Sequence, residues 1–274
     1  MTTTLTYFQG RAGDHNDLAI PGALALAKWL SDITGLNPVS VGEPAPALNT
    51  GWSSELTAAM PDLKKMKAHM ESVFTHGGRS LAATSRCAVS LATLPALAKY
   101  RPDACIVWFD SHADLNTPSS TESGYLGGLA LSGPTGLWDS GLGSGFSLAS
   151  VILVGQRDLD AFEKKCIAEN SVAYIPLGDN YLEQLRQNIN GRPVYIHLDC
   201  DVMEPGIVPT DYVHPQGMTL HDLEQACSLL AESTIIGLEI AEFQNAWTPD
   251  SDPVSPSELI NALLPVINKI VKPN

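Results

Sequence analysis

The runs Ala104-Cys105-Ile106-Val107-Trp108-Phe109-Asp110-Ser111-His112-Ala113-Asp114 and Val194-Tyr195-Ile196-His197-Leu198-Asp199-Cys200-Asp201 decide how this chain is read. Each is an apolar stretch of strand character that stops abruptly at carboxylates. An extended chain has period two, so positions 110, 112 and 114 share one side, and 199 and 201 share another. Four carboxylates and one imidazole are therefore expected at the carboxyl ends of two strands. Like charges gathered in this way repel unless multivalent cations hold them together. An oxygen-rich set with an imidazole suits Mn, Fe, Co or Zn better than it suits a thiolate-rich structural zinc site. A single Asp in such a place is ordinarily a helix cap or a loop residue. Two strand-end clusters in one chain argue for a metal centre.

Outward from these runs, strand and helix patterns alternate. Strands are expected at 5–8, 38–41, 79–84, 104–109, 151–154, 171–175, 194–198 and 234–240. Helices are expected at about 16–34, from near Pro61 (a residue suited to a first turn), and over 88–99. Four more lie near 160–169, 180–189, 219–231 and 255–271. This alternation predicts βαβ units with right-handed crossovers. The expected fold is a single α/β domain of three layers, with an about eight-stranded, mainly parallel sheet and helices on both faces. Such sheets bind ligands beyond the carboxyl ends of their strands, where both acidic runs fall. The Gly- and Ser-rich stretch 116–145 is expected to wall the pocket.

The chain has 274 residues, 44% of them hydrophobic, and a formal charge of -14. That charge argues against nucleic acid and anionic membranes as partners and weakly favours a cationic small substrate. No apolar run of about 18 residues exists to span a membrane. The first residues lack the basic and apolar regions of a secretory signal, and five cysteines without a CxxC pair suit a reducing compartment. A cytoplasmic location is expected.

The run Asp110-Ser111-His112-Ala113-Asp114-Leu115-Asn116-Thr117-Pro118, followed by Ser123-Gly124, resembles the arginase family of ureohydrolases. The family pattern is D-x-H-x-D, an aliphatic residue and N-T-P. A later D-x-D-x-x, an acid and Pro is matched by Asp199-Cys200-Asp201-Val202-Met203-Glu204-Pro205. Gly155-Gln156-Arg157-Asp158-Leu159-Asp160 is similar to the G-x-R-D-x-D segment between them.

Two departures stand out. The family's remaining metal ligand is the His of a G-G-D-H-S run. The local look-alike His76-Gly77-Gly78-Arg79-Ser80 lies too far upstream of Asp110, so His76 reads as a loop residue. At the right distance stands Cys87, in Ser85-Arg86-Cys87-Ala88-Val89-Ser90. Between a strand end and a helix start, free amides and a nearby dication are expected to favour its thiolate. Second, many arginases carry a proton-shuttling His where this chain has Gly127. With these departures, Cys87 to Pro95 and Gly124 to Gly128 resemble the branch that hydrolyses Nω-hydroxy-L-arginine to ornithine and hydroxyurea in D-cycloserine biosynthesis.

The resemblance implies two Mn²⁺ ions. Asp110 and Asp199 would bridge them, Cys87 and Asp114 would complete one, and His112 and Asp201 the other. Asp114 would also orient a bridging hydroxide for attack on the guanidine carbon. Glu242 would hold the guanidinium-like group, and Asn116, Ser123 and Asp160 the α-carboxylate and α-amino groups. The expected substrate is a guanidino amino acid. Retained Asn116 and Ser123 disfavour agmatine. The alternatives are an arginase or another guanidino-acid amidinohydrolase, and a non-catalytic metal-binding relative. Ureohydrolases are often trimers or hexamers; here the chain's end at Asn274, just past a helix near Lys272, and its charge point to a monomer.

Overall fold

The computed structural model describes residues 2–272. Met1, Pro273 and Asn274 lie outside them, and so do the parts of the readings at the chain ends that rest on these residues. Eight strands form one sheet: β1 (Thr3–Phe8), β2 (Val39–Val41), β3 (Arg79–Ala83), β4 (Cys105–Phe109), β5 (Val151–Val154), β6 (Ala173–Ile175), β7 (Val194–Asp199) and β8 (Ile235–Ala241). Their order is β2-β1-β3-β8-β7-β4-β5-β6, and every pairing is parallel. β4 and β7 are buried along their whole length. Strands covered on both faces carry continuous aliphatic runs rather than alternation, which is why these elements are plain in the sequence.

Parallel neighbours require crossovers. The helices among the described residues are α1 (Ala19–Thr34), α2 (Trp52–Thr75), α3 (Ser90–Tyr100), α4 (Ala161–Glu169), α5 (Tyr181–Ile189), α6 (Leu220–Leu230) and α7 (Ser257–Val271). Six of these seven supply crossovers, while β4 and β5 are joined by a long loop and α7 follows the last strand. On one face, Leu26 and Leu30 of α1, Leu185 of α5, Leu223 of α6 and Leu263 of α7 pack on Val107, Ile196 and Leu238. On the other, Leu63, Met66 and Met70 of α2, Leu91 and Leu94 of α3 and Cys166 of α4 pack on Ile106, Trp108 and Tyr195. Three layers result.

Most boundaries fall within about three residues of expectation, and the start of α2 departs furthest. α2 does not start near Pro61; it starts at Trp52 and carries Pro61 inside. An interior proline removes one helical hydrogen bond, at a cost of about 3 kcal/mol. Leu56, Ala59, Leu63, Met66 and Met70 form one buried stripe at helical spacing across it. Burying that many side chains, at roughly 1.5–3 kcal/mol for each large one, outweighs a single lost bond. Among the described residues, no helix is long and apolar enough to cross a membrane.

Candidate active site

The carboxyl ends of β3, β4, β5, β7 and β8 open on one rim, and the loops leaving them surround a cavity of about 220 Å³. Cys87, His112, Asp114, Asn116, Ser123, Asp160, Asp199, Asp201 and Glu242 all line it. Asp110 is fully buried against His112. All ten residues singled out in the sequence thus converge. The 116–145 stretch does form a wall, through Asn116, Glu122, Ser123, Tyr125, Gly127 and Gly128.

Buried donors hold the carboxylates in place. Asp110 accepts from Trp108 Nε1 at 2.9 Å and from the His112 amide at 2.7 Å. Asp199 accepts from the Asp201 amide at 2.7 Å, and Asp201 from the Ser111 amide at 3.0 Å. His112 Nδ1 lies 3.0 Å from Asp201 Oδ2 and 3.3 Å from Asp110 Oδ1. Arg157 donates to the backbone oxygens of Asp201 at 2.8 Å and His214 at 2.9 Å, tying the β5 and β7 loops together. Asp114 and Glu242 both adopt left-handed backbone, with φ of 52° and 64°. Side chains seldom adopt it, and strain of this kind concentrates at functional sites.

Ligand atoms of Asp110, His112 and Asp201 fall within 4.8 Å of one another, as do those of Cys87, Asp199 and Glu242, and those of Cys87, Asp110 and His197. Asp114 stands outside these tight groups. Its buried Oδ2 has no hydrogen-bond partner among the described residues, which leaves an acceptor that a cation would satisfy. Burial and the neighbouring Asp201 charge push Asp110 up to about 6. Burial and neighbouring carboxylates also push Asp114 and Asp199 well above the usual range. His112 is raised despite burial, because Asp110 and Asp201 hold its proton. These strains are what divalent cations relieve, so the donor set fits hard or borderline cations.

Cys87 lies at the place expected for it, on the cavity wall. Its amide, at the helix start before α3, is spent on Glu242 Oε1 at 2.9 Å. Burial and then the Asp199 charge push the thiol well up. The backbone amides therefore leave the thiol protonated, and its thiolate would need a cation beside it. The thiol donates to Asp199 Oδ2 at 3.0 Å and lies 3.2 Å from His197 Nε2.

The amino-acid end is less uniform. Asn116 Nδ2 donates to Asp160 Oδ2 at 2.6 Å. Ser123 Oγ accepts from the Tyr125 amide at 3.2 Å, a turn bond. Glu163 accepts from the amides of Leu115 and Asp160, each at 3.0 Å, and so joins the β4 loop to α4.

Several groups were not anticipated. His197 and Glu239 sit side by side on β7 and β8, with Nδ1 and Oε1 2.8 Å apart. Ser90, Thr93 and Tyr195 also donate to Glu239, and Trp108 stacks on His197 at 3.5 Å. The available signal was one polar residue inside each of two otherwise apolar strands. Arg86 and Tyr125, both bonded to Glu242, gave no such signal.

The raised carboxylates set a pH dependence. Burial brings Glu163 to about 7 and Asp110 to about 6, above the ordinary carboxylate values near 4. Between those limits the folded protein binds more protons than the unfolded chain, so its stability falls as pH rises. Chelator-treated protein should therefore gain roughly 5 °C in melting temperature between pH 7.5 and 5.5. His69, lowered by burial, opposes this only slightly. Metal-loaded protein should show the opposite slope, because protons then displace the ions. Parallel slopes in the two forms, measured calorimetrically, would remove the metal centre from this cavity.

The arginase family's sequence profile matches residues 25–258. The chain belongs to the arginase family, whose hydrolases cut amidino carbon–nitrogen bonds. It is 38% identical over 234 residues, 85% of this chain and 86% of the other, to the N(omega)-hydroxy-L-arginine amidinohydrolase of Streptomyces lavendulae. With the arginase of Glaciozyma antarctica it shares 30% identity, over 56% of this chain and 51% of that one. The fold superposes on the arginase of Bacillus caldovelox with a TM-score of 0.82, at 21% identity and 97% coverage of both chains.

Proposed function

We propose that this protein is a binuclear manganese amidinohydrolase that converts Nω-hydroxy-L-arginine and water to L-ornithine and hydroxyurea. The observation that carries the choice of substrate is Gly127. A Cβ at that position would collide with Tyr125 Cε1, so the tyrosine ring occupies the space a side chain there would enter. An imidazole for proton management is absent from the sequence, and Tyr125 would have to move to admit one. Arginine's guanidinium stays protonated at physiological pH. The N-hydroxyguanidine is less basic and needs less proton handling at its carbon.

In this reading Cys87 and Asp114 would hold one ion and His112 and Asp201 the other, with Asp110 and Asp199 shared between them. When bound, the ions lower the pKa of water towards neutrality and supply a nucleophile. Asp114 would also accept a hydrogen bond from the attacking water and orient it towards the guanidine carbon. Glu242 meets the guanidine end, and Asn116, Ser123 and Asp160 meet the α-amino and α-carboxylate groups. The bond from the guanidine carbon to Nδ breaks, and Nδ takes up a proton.

The test is turnover of hydroxyarginine beside arginine at matched Mn²⁺ loading, with products identified. Hydroxyarginine should be favoured by at least about 100-fold in kcat/KM. Equal rates would overturn the substrate, and absence of turnover on any guanidino acid with two metals bound would overturn the enzyme.

A further inference from the structure

Behind Glu242 lies a guanidinium that the chain supplies itself. Arg86 is fully buried. Its Nη1 donates to Glu242 Oε2 and to Asp211 Oδ2, each at 2.8 Å, and its Nε to Asp14 Oδ1 at 3.1 Å. The other Glu242 oxygen, Oε1, accepts from the Cys87 amide at 2.9 Å and from the Tyr125 hydroxyl at 3.2 Å. Asp211, on the pocket wall, is engaged as well, by Asn16 on Oδ1 at 3.0 Å and by His15 at Oδ2, 3.1 Å away.

A carboxylate offers about four lone-pair positions, and three of those on Glu242 are taken. A bidentate grip on an incoming guanidinium needs one free position on each oxygen, and Oε1 has none. Arg86 is also a permanent cation in direct contact with Glu242, so an incoming guanidinium meets a carboxylate whose charge is already partly compensated. In the G-G-D-H-S run of the family an Asp precedes the ligand; directly before Cys87 this chain has Arg86, a reversal of charge. Nη2 of Arg86 has no hydrogen-bond partner among the described residues. A buried donor left unbonded costs stability, which a purely structural role does not explain.

We infer that Arg86, assisted by Tyr125, determines the charge of the group this pocket accepts: the two occupy Glu242 so that it receives a neutral guanidine-like group and disfavours a guanidinium. The inference rests on the reading of Glu242 as the residue that meets the guanidine end. Arg86 acts through Glu242 and is a positioning residue.

The experiment measures the Kd of L-arginine and of L-citrulline, its neutral ureido analogue, on the Mn²⁺-loaded protein by calorimetry. Wild type should bind citrulline at least as tightly as arginine. Arg86→Gln should shift the ratio of the two constants towards arginine by about tenfold or more, and Arg86→Lys, which keeps the charge, should hold it within about twofold of wild type. Should Arg86→Gln fail to fold, Tyr125→Phe frees a position on Oε1 and should shift the ratio in the same direction. Three results overturn the inference: wild type binding arginine more than tenfold tighter, a folded Arg86→Gln or Tyr125→Phe with an unchanged ratio, or no binding of either ligand. A shifted ratio without hydroxyarginine turnover overturns the substrate reading alone. Turnover with an unshifted ratio overturns the role of Arg86 alone.

Discussion

Asp110→Asn and Asp199→Asn should each lose at least one equivalent of metal and more than about 10³-fold in turnover, while the fold survives. Both side chains are buried at the ends of adjacent strands and fixed by their own loops' amides. Asn is isosteric and keeps one acceptor, so packing changes little. What it removes is the negative charge, and with it the ability to attract two cations at once. At Asp110 the amide group brings a second penalty. The oxygen that accepts from Trp108 Nε1 at 2.9 Å must remain an oxygen, which puts the NH₂ against the His112 amide N–H that the other oxygen now accepts from at 2.7 Å, a donor facing a donor. Metal content of the purified variants, read beside their melting temperatures, checks the prediction. Near-normal turnover in either variant would refute the assignment of these residues to both ions.

Substitution of Cys87 separates a ligand from a packing residue. Cys87→Ser should weaken one ion selectively, because a neutral hydroxyl replaces an anionic donor, and the loss should reach at least 10- to 100-fold in affinity. Cys87→His should bind that ion again, since imidazole is the donor the family pattern carries there. Activity on arginine need not follow, because Tyr125 still fills the space at position 127. An inert core thiol predicts the reverse: Ser would spare the metal, and the larger His would disturb a site closed in by His197 and Asp199. Titration of Mn²⁺ into the two variants decides. Full occupancy in Cys87→Ser ends the ligand role.

The sequence by itself determined the parallel α/β fold and the carboxylate centre, and both for local reasons. Strands buried on two faces must be aliphatic along their whole length, as at 105–109 and 194–198, and helices show their buried stripe in spacing alone. A carboxylate cluster at a strand end is conspicuous because neighbouring residues carry it. The start of α2 was misread for the same reason: Pro61 is a strong local signal, and the stripe that overrides it is stabilised by partners on α3 and the sheet.

Only the tertiary structure decided which groups surround the ligands. The approach of His197 to Glu239 depends on the register of β7 against β8. Arg86 meets Asp14, Asp211 and Glu242 because crossovers bring four distant loops to one rim. The left-handed backbones of Asp114 and Glu242 belong to residue types that do not call for them. Pairing between segments far apart in the chain is fixed by how sheet and helices pack, and no short stretch of sequence holds that information.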